Sequence, residues 1–484
     1  MPPRTQHVQR LTSLSQFHIQ RTLTQSPRFV HSSSRRNTSA SQDVHDHSTS
    51  PASHQDSTSL GTSSSRGPTP PLARLPTSTV VRSYLITRLS SSPALLTLCF
   101  TMLQRMLDSK SYLTSIERNP VLAKILKSTF YAQFCAGETK KEVKVNTAAA
   151  RDALGYDGII LEYALEVLGG KAPTEQEIAQ EIDVWRKGML DSIEVAREGD
   201  FIGLKWSGLG RHALHLLKTQ QPATPEMWTA INMACDAAAA KNVALLPSAE
   251  EESSNPGSEA WTLALQKKYN TPEQGRAVLY TTYQCYLKSI STRLAQHLAK
   301  AQKEGYIAGV KLVRGAYLTS EPRDLIWETK EGTDKNYDAC AEAVLKQTWT
   351  SAVPAPSTSP NSPFPPVNIV IATHNQASVQ KAQAIRAAQL ASSPSPQSLP
   401  RLTYAQLQGM ADEISQELVQ DPAKIQDVQS KVVKCMTWGT TTQCLNYLMR
   451  RASENKEAAM RTEDTRKAMG RELFRRFKAG VGLS

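Results

Sequence analysis

The chain reads as an α/β protein: a (βα)8 barrel preceded by an N-terminal helical arm. Three observations predict it. From Gly155 onward, short runs of β-forming residues alternate with longer runs of helical periodicity, the signature of a parallel βα repeat. Eight such units fit into about 300 residues, the number and length that a closed parallel barrel takes. Polar side chains then cluster just past the ends of those strands, on the face where such barrels carry their chemistry.

Taken in order, residues 1–45 have the composition of a mitochondrial transit peptide. Arg4, Arg10, Arg21, Arg28, Arg35 and Arg36 are scattered among Ser and Thr, no acid precedes Asp43, and no long apolar core is present. Residues 46–79, rich in Ser, Thr, His and Pro, read as a disordered linker. Residues 80–150 form the helical arm. Leu95, Leu98, Leu103 and Leu107, then Val121, Leu122, Ile125 and Leu126, recur at helical spacing, and Pro120 after Asn119 marks a helix start. Nothing in the arm suggests chemistry.

The barrel occupies 151–484, with strands expected at 158–161, 202–205, 243–246, 278–282, 308–313, 368–372, 402–405 and 431–435. The Pro/Ser-rich stretches 351–366 and 392–400 read as surface insertions, and 250–259 as a loop.

Composition narrows the function classes. Apolar residues make up 40% of the chain and the net charge is +12. Much of that charge sits at the ends: eight Arg against three Asp in 1–80, and eight bases against four acids in 456–484. The body is nearly balanced and lacks the basic stripe of a nucleic-acid binder, so no nucleic-acid partner is expected. Seven cysteines in an odd, scattered set with no Cys-x-x-Cys argue against a disulfide framework or zinc, and no metal is expected. The most apolar stretch, 95–107, is interrupted by Thr97, Thr101, Gln104 and Arg105 and is too short to span a bilayer.

The candidate chemistry lies at strand ends and in one helix. Lys205 follows Ile202-Gly203-Leu204, and Gln284 follows Thr282-Tyr283. Lys311, Arg314 and Tyr317 close the fifth unit, and His374 and Asn375 the sixth. Near the C-terminus, a helix through 447–455 would put Tyr447, Arg450, Arg451 and Glu454 on one face. Two guanidinium forks there can grip a small carboxylate in bidentate fashion; a solvated helix with an Arg–Glu pair is the alternative.

Several of these runs together resemble the proline dehydrogenase family. They are Leu204-Lys205-Trp206-Ser207, Thr282-Tyr283-Gln284-Cys285-Tyr286-Leu287-Lys288, Lys311-Leu312-Val313-Arg314-Gly315-Ala316-Tyr317-Leu318-Thr319-Ser320-Glu321, and Ala372-Thr373-His374-Asn375. Gln406-Leu407-Gln408-Gly409-Met410-Ala411-Asp412 and the run from Tyr447 to Asn455 follow in the same order. The resemblance covers roughly residues 75–480. It implies a distorted, TIM-like (βα)8 barrel holding FAD without a Rossmann domain. The absence of any Gly-x-Gly-x-x-Gly agrees with that.

The resemblance also implies oxidation of L-proline to Δ1-pyrroline-5-carboxylate on the matrix side of the mitochondrial inner membrane, with a membrane quinone as electron acceptor. Lys205, Arg450 and Arg451 would hold the substrate carboxylate, with Glu454 the acid among these cations. Leu407 and Tyr447 would wall the ring. Gln284, Lys311, Val313, Gly315, Ala316, Tyr317, Thr373, His374 and Asn375 would line the flavin, with glycine at 315 letting the backbone approach it. A hydride would pass from C5 of the substrate to flavin N5, and no side chain need act as acid, base or nucleophile.

Two positions depart from the family pattern. Where the family has Asp-Ala-Glu, this chain has Ser248-Ala249-Glu250, which leaves a cation uncompensated unless Glu250, Glu251 or Glu162 substitutes. At Cys435, proline-specific members keep a tyrosine against the ring, and hydroxyproline-using relatives a smaller residue. The substrate is therefore proline or trans-4-hydroxy-L-proline. A barrel of this family with lost activity, or one acting on another small carboxylate or phosphate, are the remaining readings.

Overall fold

Strand identity follows from where the alternating apolar residues go. In the computed structural model, which describes residues 70–482 except 166, 168, 394 and 455–461, nine parallel strands are present. A short β1 (Cys135–Gly137) precedes eight barrel strands: β2 (Gly158–Tyr163), β3 (Phe201–Leu204), β4 (Ala244–Pro247), β5 (Thr281–Gln284), β6 (Ala308–Val313), β7 (Val367–Ala372), β8 (Leu402–Leu407) and β9 (Ser430–Trp438). They pair in the order β4-β3-β2-β9-β8-β7-β6-β5. The two ends of that sheet meet only through a bridge between Leu245 and Leu279, which closes the barrel. All eight expected strands are present, several shifted by one to three residues.

Successive side chains on a strand point to opposite faces. Ile159, Leu161, Ile202, Leu245, Leu312, Ile369, Ile371, Tyr404 and Val432 pack outward in one large buried cluster with residues of the surrounding helices. The opposite faces contribute Ile160, Phe201, Ala244, Leu246, Tyr280, Val370, Ala405 and Val433 to a separate inner cluster. Each fully buried side chain of this size contributes roughly 1.5–3 kcal/mol. The same alternation turns Glu162, Lys311, Val313, Leu407 and Cys435 inward at the C-terminal ends of their strands.

Local chemistry marks the helix ends. Glu175–Val195 opens on a reciprocal capping box between Thr174 and Glu177, and Asn375 caps Gln376–Ser392 by accepting from the Ser378 backbone at 3.1 Å. The expected loop at 250–259 is shorter than the sequence suggested: a helix, Asn255–Tyr269, begins inside it with Pro256 in its first turn.

The arm is more ordered, and less uniformly helical, than expected. Residues 70–79, read from composition as linker, form the 3₁₀ turn Pro71–Arg74 and the start of helix Thr77–Ser90. Leu72, Leu75 and Val80 are buried there with Ala468 and Met469 of helix Glu463–Gly480. Three short apolar residues supply the anchor, too few to stand out in a Ser/Thr/Pro background. At the arm's far end, β1 adds to the barrel by pairing with the end of β9 at Thr437 and Trp438. The expected transit peptide, most of the linker, and Asn455 lie outside the described residues.

Candidate functional site

The site is the mouth of the barrel, built from inward positions at the strand ends. Lys205, one residue past β3, is nearly buried: its Nζ donates to the Tyr317 hydroxyl at 2.5 Å and lies 3.7 Å from Glu250 Oε2. It also stands 5.2 Å from the centre of the Tyr317 ring. Arg451 approaches the same ring at 5.5 Å and the Tyr447 ring at 5.7 Å. Tyr317 thus carries Lys205 on its hydroxyl and Arg451, from helix Thr441–Glu454, beside its ring, and burial raises its phenol pKa against the opposing pull of Lys205.

Glu250 is the carboxylate that compensates Lys205. It is 4% exposed, its Oε1 accepts from the Ser207 backbone at 3.2 Å, and its carbonyl accepts from Gln284 Nε2 at 3.1 Å. The side chain of Glu454, the acid expected among the arginines, lies outside the described part.

Gln284 is fully buried, and both ends of its amide are engaged: Nε2 with Glu250, and Oε1 accepting from the Ala316 backbone. It ties the loop after β4 to the loop after β6. Gly315 has a φ of +147°, and a Cβ there would lie 2.3 Å from the Tyr286 ring. Backbone conformation and a neighbouring aromatic ring already require glycine at this position, apart from any cofactor.

Thr373, His374 and Asn375 are held from behind by Arg314. Its guanidinium donates to Asp334 at 2.8 Å, Ser378 Oγ at 2.9 Å and Thr373 Oγ1, and lies 4.4 Å from the Tyr337 ring. His374 is exposed to solvent as a residue, yet the protein packed around its ring desolvates it. That desolvation, helped by the charges of Lys434 and Arg314, pushes its pKa down to about 4. Its Nε2 accepts the Leu407 backbone N–H at 3.1 Å, which assigns the proton of the neutral imidazole to Nδ1. Leu407 beside it is 48% exposed, an open apolar wall at the barrel mouth.

Cys435 faces inward between Ile160 and Leu407 in register. Its thiol lies 3.9 Å from Glu162 Oε2, and burial, then the Glu162 charge, pushes its pKa up, so it stays protonated. Lys311 lies close enough to oppose that shift.

The clamp helix, Thr441–Glu454, is positioned from outside the barrel. Its apolar residues Cys444, Leu445, Leu448 and Met449 pack into two clusters with arm residues, among them Leu103, Ile116, Leu126 and Tyr131. Glu138 Oε1 accepts from both the backbone and the hydroxyl of Thr441, each at 2.7 Å, and its other oxygen meets Lys127 at 2.5 Å. Tyr131 donates to the Gly439 carbonyl at 2.8 Å. These partners, some 300 residues away in sequence, carry no local motif, so sequence reasoning passed over them.

The donor set fits FAD. An exposed aliphatic wall at Leu407, a neutral Nδ1–H donor at His374 and an inward Lys311 beside Val313 suit a planar, partly polar ring that gains negative charge on reduction. Among the described residues, no group of three or more His, Cys, Asp or Glu is arranged to hold a metal ion.

Comparison with known proteins bears on the family and the fold. Residues 145–464 match a family model described as proline dehydrogenase. A "Probable proline dehydrogenase, mitochondrial" from Schizosaccharomyces pombe is 33% identical over 54% of this chain and 54% of its own length. A mouse "Hydroxyproline dehydrogenase" is 27% identical over 83% of this chain and 92% of its own. The crystal structure of proline utilization A from Bdellovibrio bacteriovorus, inactivated by N-propargylglycine, superposes with a TM-score of 0.54 at 16% identity. It covers 77% of this chain but only 38% of the larger protein, so this likeness shows the fold.

Proposed function

The chain belongs to the proline dehydrogenase family, and from that premise we propose that it is a mitochondrial, FAD-dependent dehydrogenase. It oxidises L-proline to Δ1-pyrroline-5-carboxylate and passes the electrons to a membrane quinone. The observation that carries this reading is the pair of cations, Lys205 and Arg451, on one tyrosine ring at the barrel mouth, 5.2 Å and 5.5 Å from its centre. A small carboxylate is the ligand such a pair suits, with Arg450 on the same helix as a second fork.

FAD, when bound, would take the hydride from C5 of the ring. Lys311, Val313, Gly315, Ala316, Tyr317, Thr373, His374 and Asn375 would hold it, with Lys311 and the His374 Nδ1–H among its polar contacts; Gln284, whose amide is taken up inside the protein, would shape the site by fixing Ala316. The remaining work of the protein is positional. Lys205, Arg450 and Arg451 grip the carboxylate; Leu407 and Tyr447 wall the ring and exclude water. Replacing Arg451 by Lys keeps the charge and removes the fork. In steady-state assays with a dye acceptor, Arg451→Lys should raise KM about tenfold or more with a smaller change in kcat, in line with roughly 1.5–3 kcal/mol for a charge-assisted pair. An unchanged KM would remove Arg451 from the clamp.

Hydroxyproline is the second reading, and Cys435 favours it. A small, protonated thiol 3.9 Å from the Glu162 carboxylate leaves room and an acceptor for a ring hydroxyl. The ratio of kcat/KM for hydroxyproline over proline should fall about 10- to 100-fold in Cys435→Tyr, the usual scale of shape discrimination by one side chain.

The arm supports association with an anionic membrane surface, in keeping with a place at the inner membrane. Helix Thr77–Ser90 buries Ser83 and Thr87 beside Val80 and exposes Val81, Leu85 and Leu89. Helix Pro93–Asp108 exposes Leu95, Leu98 and Met102 at spacings of three and four. Residues 70–134 carry eight Lys and Arg against two acids. An apolar face in a basic setting is complementary to anionic lipid and would repel a second copy of itself. No single helix among the described residues is long and apolar enough to cross a membrane; these two meet that test only together, bent by 105°.

A further inference from the structure

The barrel has a second cavity, at the end opposite the mouth. It lies among the strand starts, has a volume of about 90 Å³, and is lined by Arg276, Arg401, Lys431, Tyr280, Asn368 and Asp200 among others. The aromatic rings of Phe201 and Tyr280, edge to face at 6.1 Å, belong to both its wall and the inner core of the barrel. That core lies between the cavity and the site at the mouth.

Three cations line this cavity. Arg276 is 9% exposed, and its guanidinium has only two long contacts, 3.4 Å each, to the carbonyls of Val243 and Ala239. Arg401, at the rim, is exposed to solvent and makes no side-chain hydrogen bond or ion pair among the described residues. Lys431 Nζ donates to the Gly199 carbonyl at 3.0 Å. Burial above all makes Arg276 and Lys431 harder to keep protonated than usual; repulsion from Arg401 adds to it, against the pull of Tyr280 and Glu198 on Arg276 and of Asp200 and Asp157 on Lys431.

The nearby acids are committed elsewhere. Asp200 pairs with Arg151 and accepts the backbone N–H of Ile159 at 2.9 Å and of Arg197 at 2.7 Å. Asp157 pairs with Lys424 at 2.5 Å and accepts the Val432 N–H at 2.7 Å. Glu198 accepts from Asn242 at 2.5 Å. Two of these three carboxylates are paired with other cations, and the charge of Glu198, whose partner is a neutral amide, is set against three cations, so positive charge remains in excess at the cavity. Like charges gathered in a partly buried space are unfavourable unless an anion joins them.

We propose that this cavity binds a small tetrahedral oxyanion of the phosphate class. Two guanidinium forks, an ammonium and the Tyr280 hydroxyl supply the donors such an anion needs, and the volume holds several water-sized spheres but not a nucleotide. Its effect follows from its place in the fold. Arg276 and Tyr280 sit beside the seam where β4 and β5 meet through the single Leu245–Leu279 bridge, while Arg401 and Lys431 come from the opposite side, at β8 and β9. An anion held by both sides fastens the seam, and binding to the folded state alone stabilises it.

The test is thermal unfolding of the purified full chain with increasing inorganic phosphate at constant ionic strength, chloride serving as the balancing ion. The expected result is a saturable rise in Tm of about 2 °C or more. The apparent Kd should weaken at least tenfold in Arg401→Gln and in Lys431→Gln, with proline- or hydroxyproline-dependent dye reduction unchanged in Arg401→Gln. A parallel series with glycerol phosphate separates two sources: a rise there assigns the site to a phosphate group carried by a metabolite, and a rise with inorganic phosphate alone assigns it to the free ion. No saturable rise with either, or an equal rise in both variants, overturns the proposal.

Discussion

His374 is neutral because of where it stands. With a folded-state pKa of about 4 against 6.5 for an ordinary histidine, the folded protein binds fewer protons than the unfolded chain between those values. Its contribution to stability is therefore complete above pH 6.5 and is lost as pH falls toward 4. Thermal unfolding from pH 4 to 7 should show a rise in Tm that is shallower in His374→Gln, while kcat/KM of the wild type shows no ionisation near pH 6.5 from this ring. An equal slope in the variant would mean that His374 titrates normally. The sequence showed that a histidine stands here, just past a strand; its tautomer depends on the Leu407 backbone, which no local pattern encodes. Glu250 is similar. Its place 3.7 Å from Lys205 depends on Gln284 and Ser207, which hold its loop against the barrel from distant parts of the chain.

At the scale of elements, the clamp helix is legible in its own residues but its mounting is not. The spacing of Tyr447, Arg450 and Arg451 reads directly as one helical face. What fixes that face over the barrel is Glu138 at the helix start and the arm helices under Cys444, Leu445 and Met449. A cap of this kind is worth about 1 kcal/mol, more when its acceptor is charged. Glu138→Ala should lower Tm by a few degrees and raise the substrate KM several-fold with kcat less affected; Glu138→Gln, which can still accept from Thr441, should recover part of both. A KM unmoved in both variants would show that the arm only stabilises. The barrel strands were the most legible elements, because β-rich runs bounded by helical ones recur eight times. The ends of the arm were the least. β1 is three residues long, and residues 70–79 owe their order to a packing partner almost 400 positions away.

At the scale of the molecule, charge and apolar exposure separate by region. The barrel body is nearly balanced, while the arm joins a basic surplus to exposed Leu85, Leu98 and Met102. The purified protein should co-sediment with vesicles containing anionic lipid, less with neutral vesicles, and less at high salt. Replacing Leu85, Leu98 and Met102 together by Ser should cut binding about tenfold or more without changing dye reduction in solution. Equal binding by the triple variant would move the docking surface elsewhere. This face could not be read from hydropathy, since a helix that buries Ser83 and Thr87 while exposing leucines has no amphipathic signature of the ordinary sense.

The proposal that the mouth holds FAD above a carboxylate clamp is tested most directly by anaerobic titration of the purified protein, followed by its flavin absorption. The protein should be yellow, and proline or hydroxyproline should bleach it stoichiometrically, with Arg451→Lys needing about tenfold higher substrate for the half-maximal rate of bleaching. A protein that stays colourless after FAD is supplied, or a yellow one that neither substrate bleaches, would contradict it.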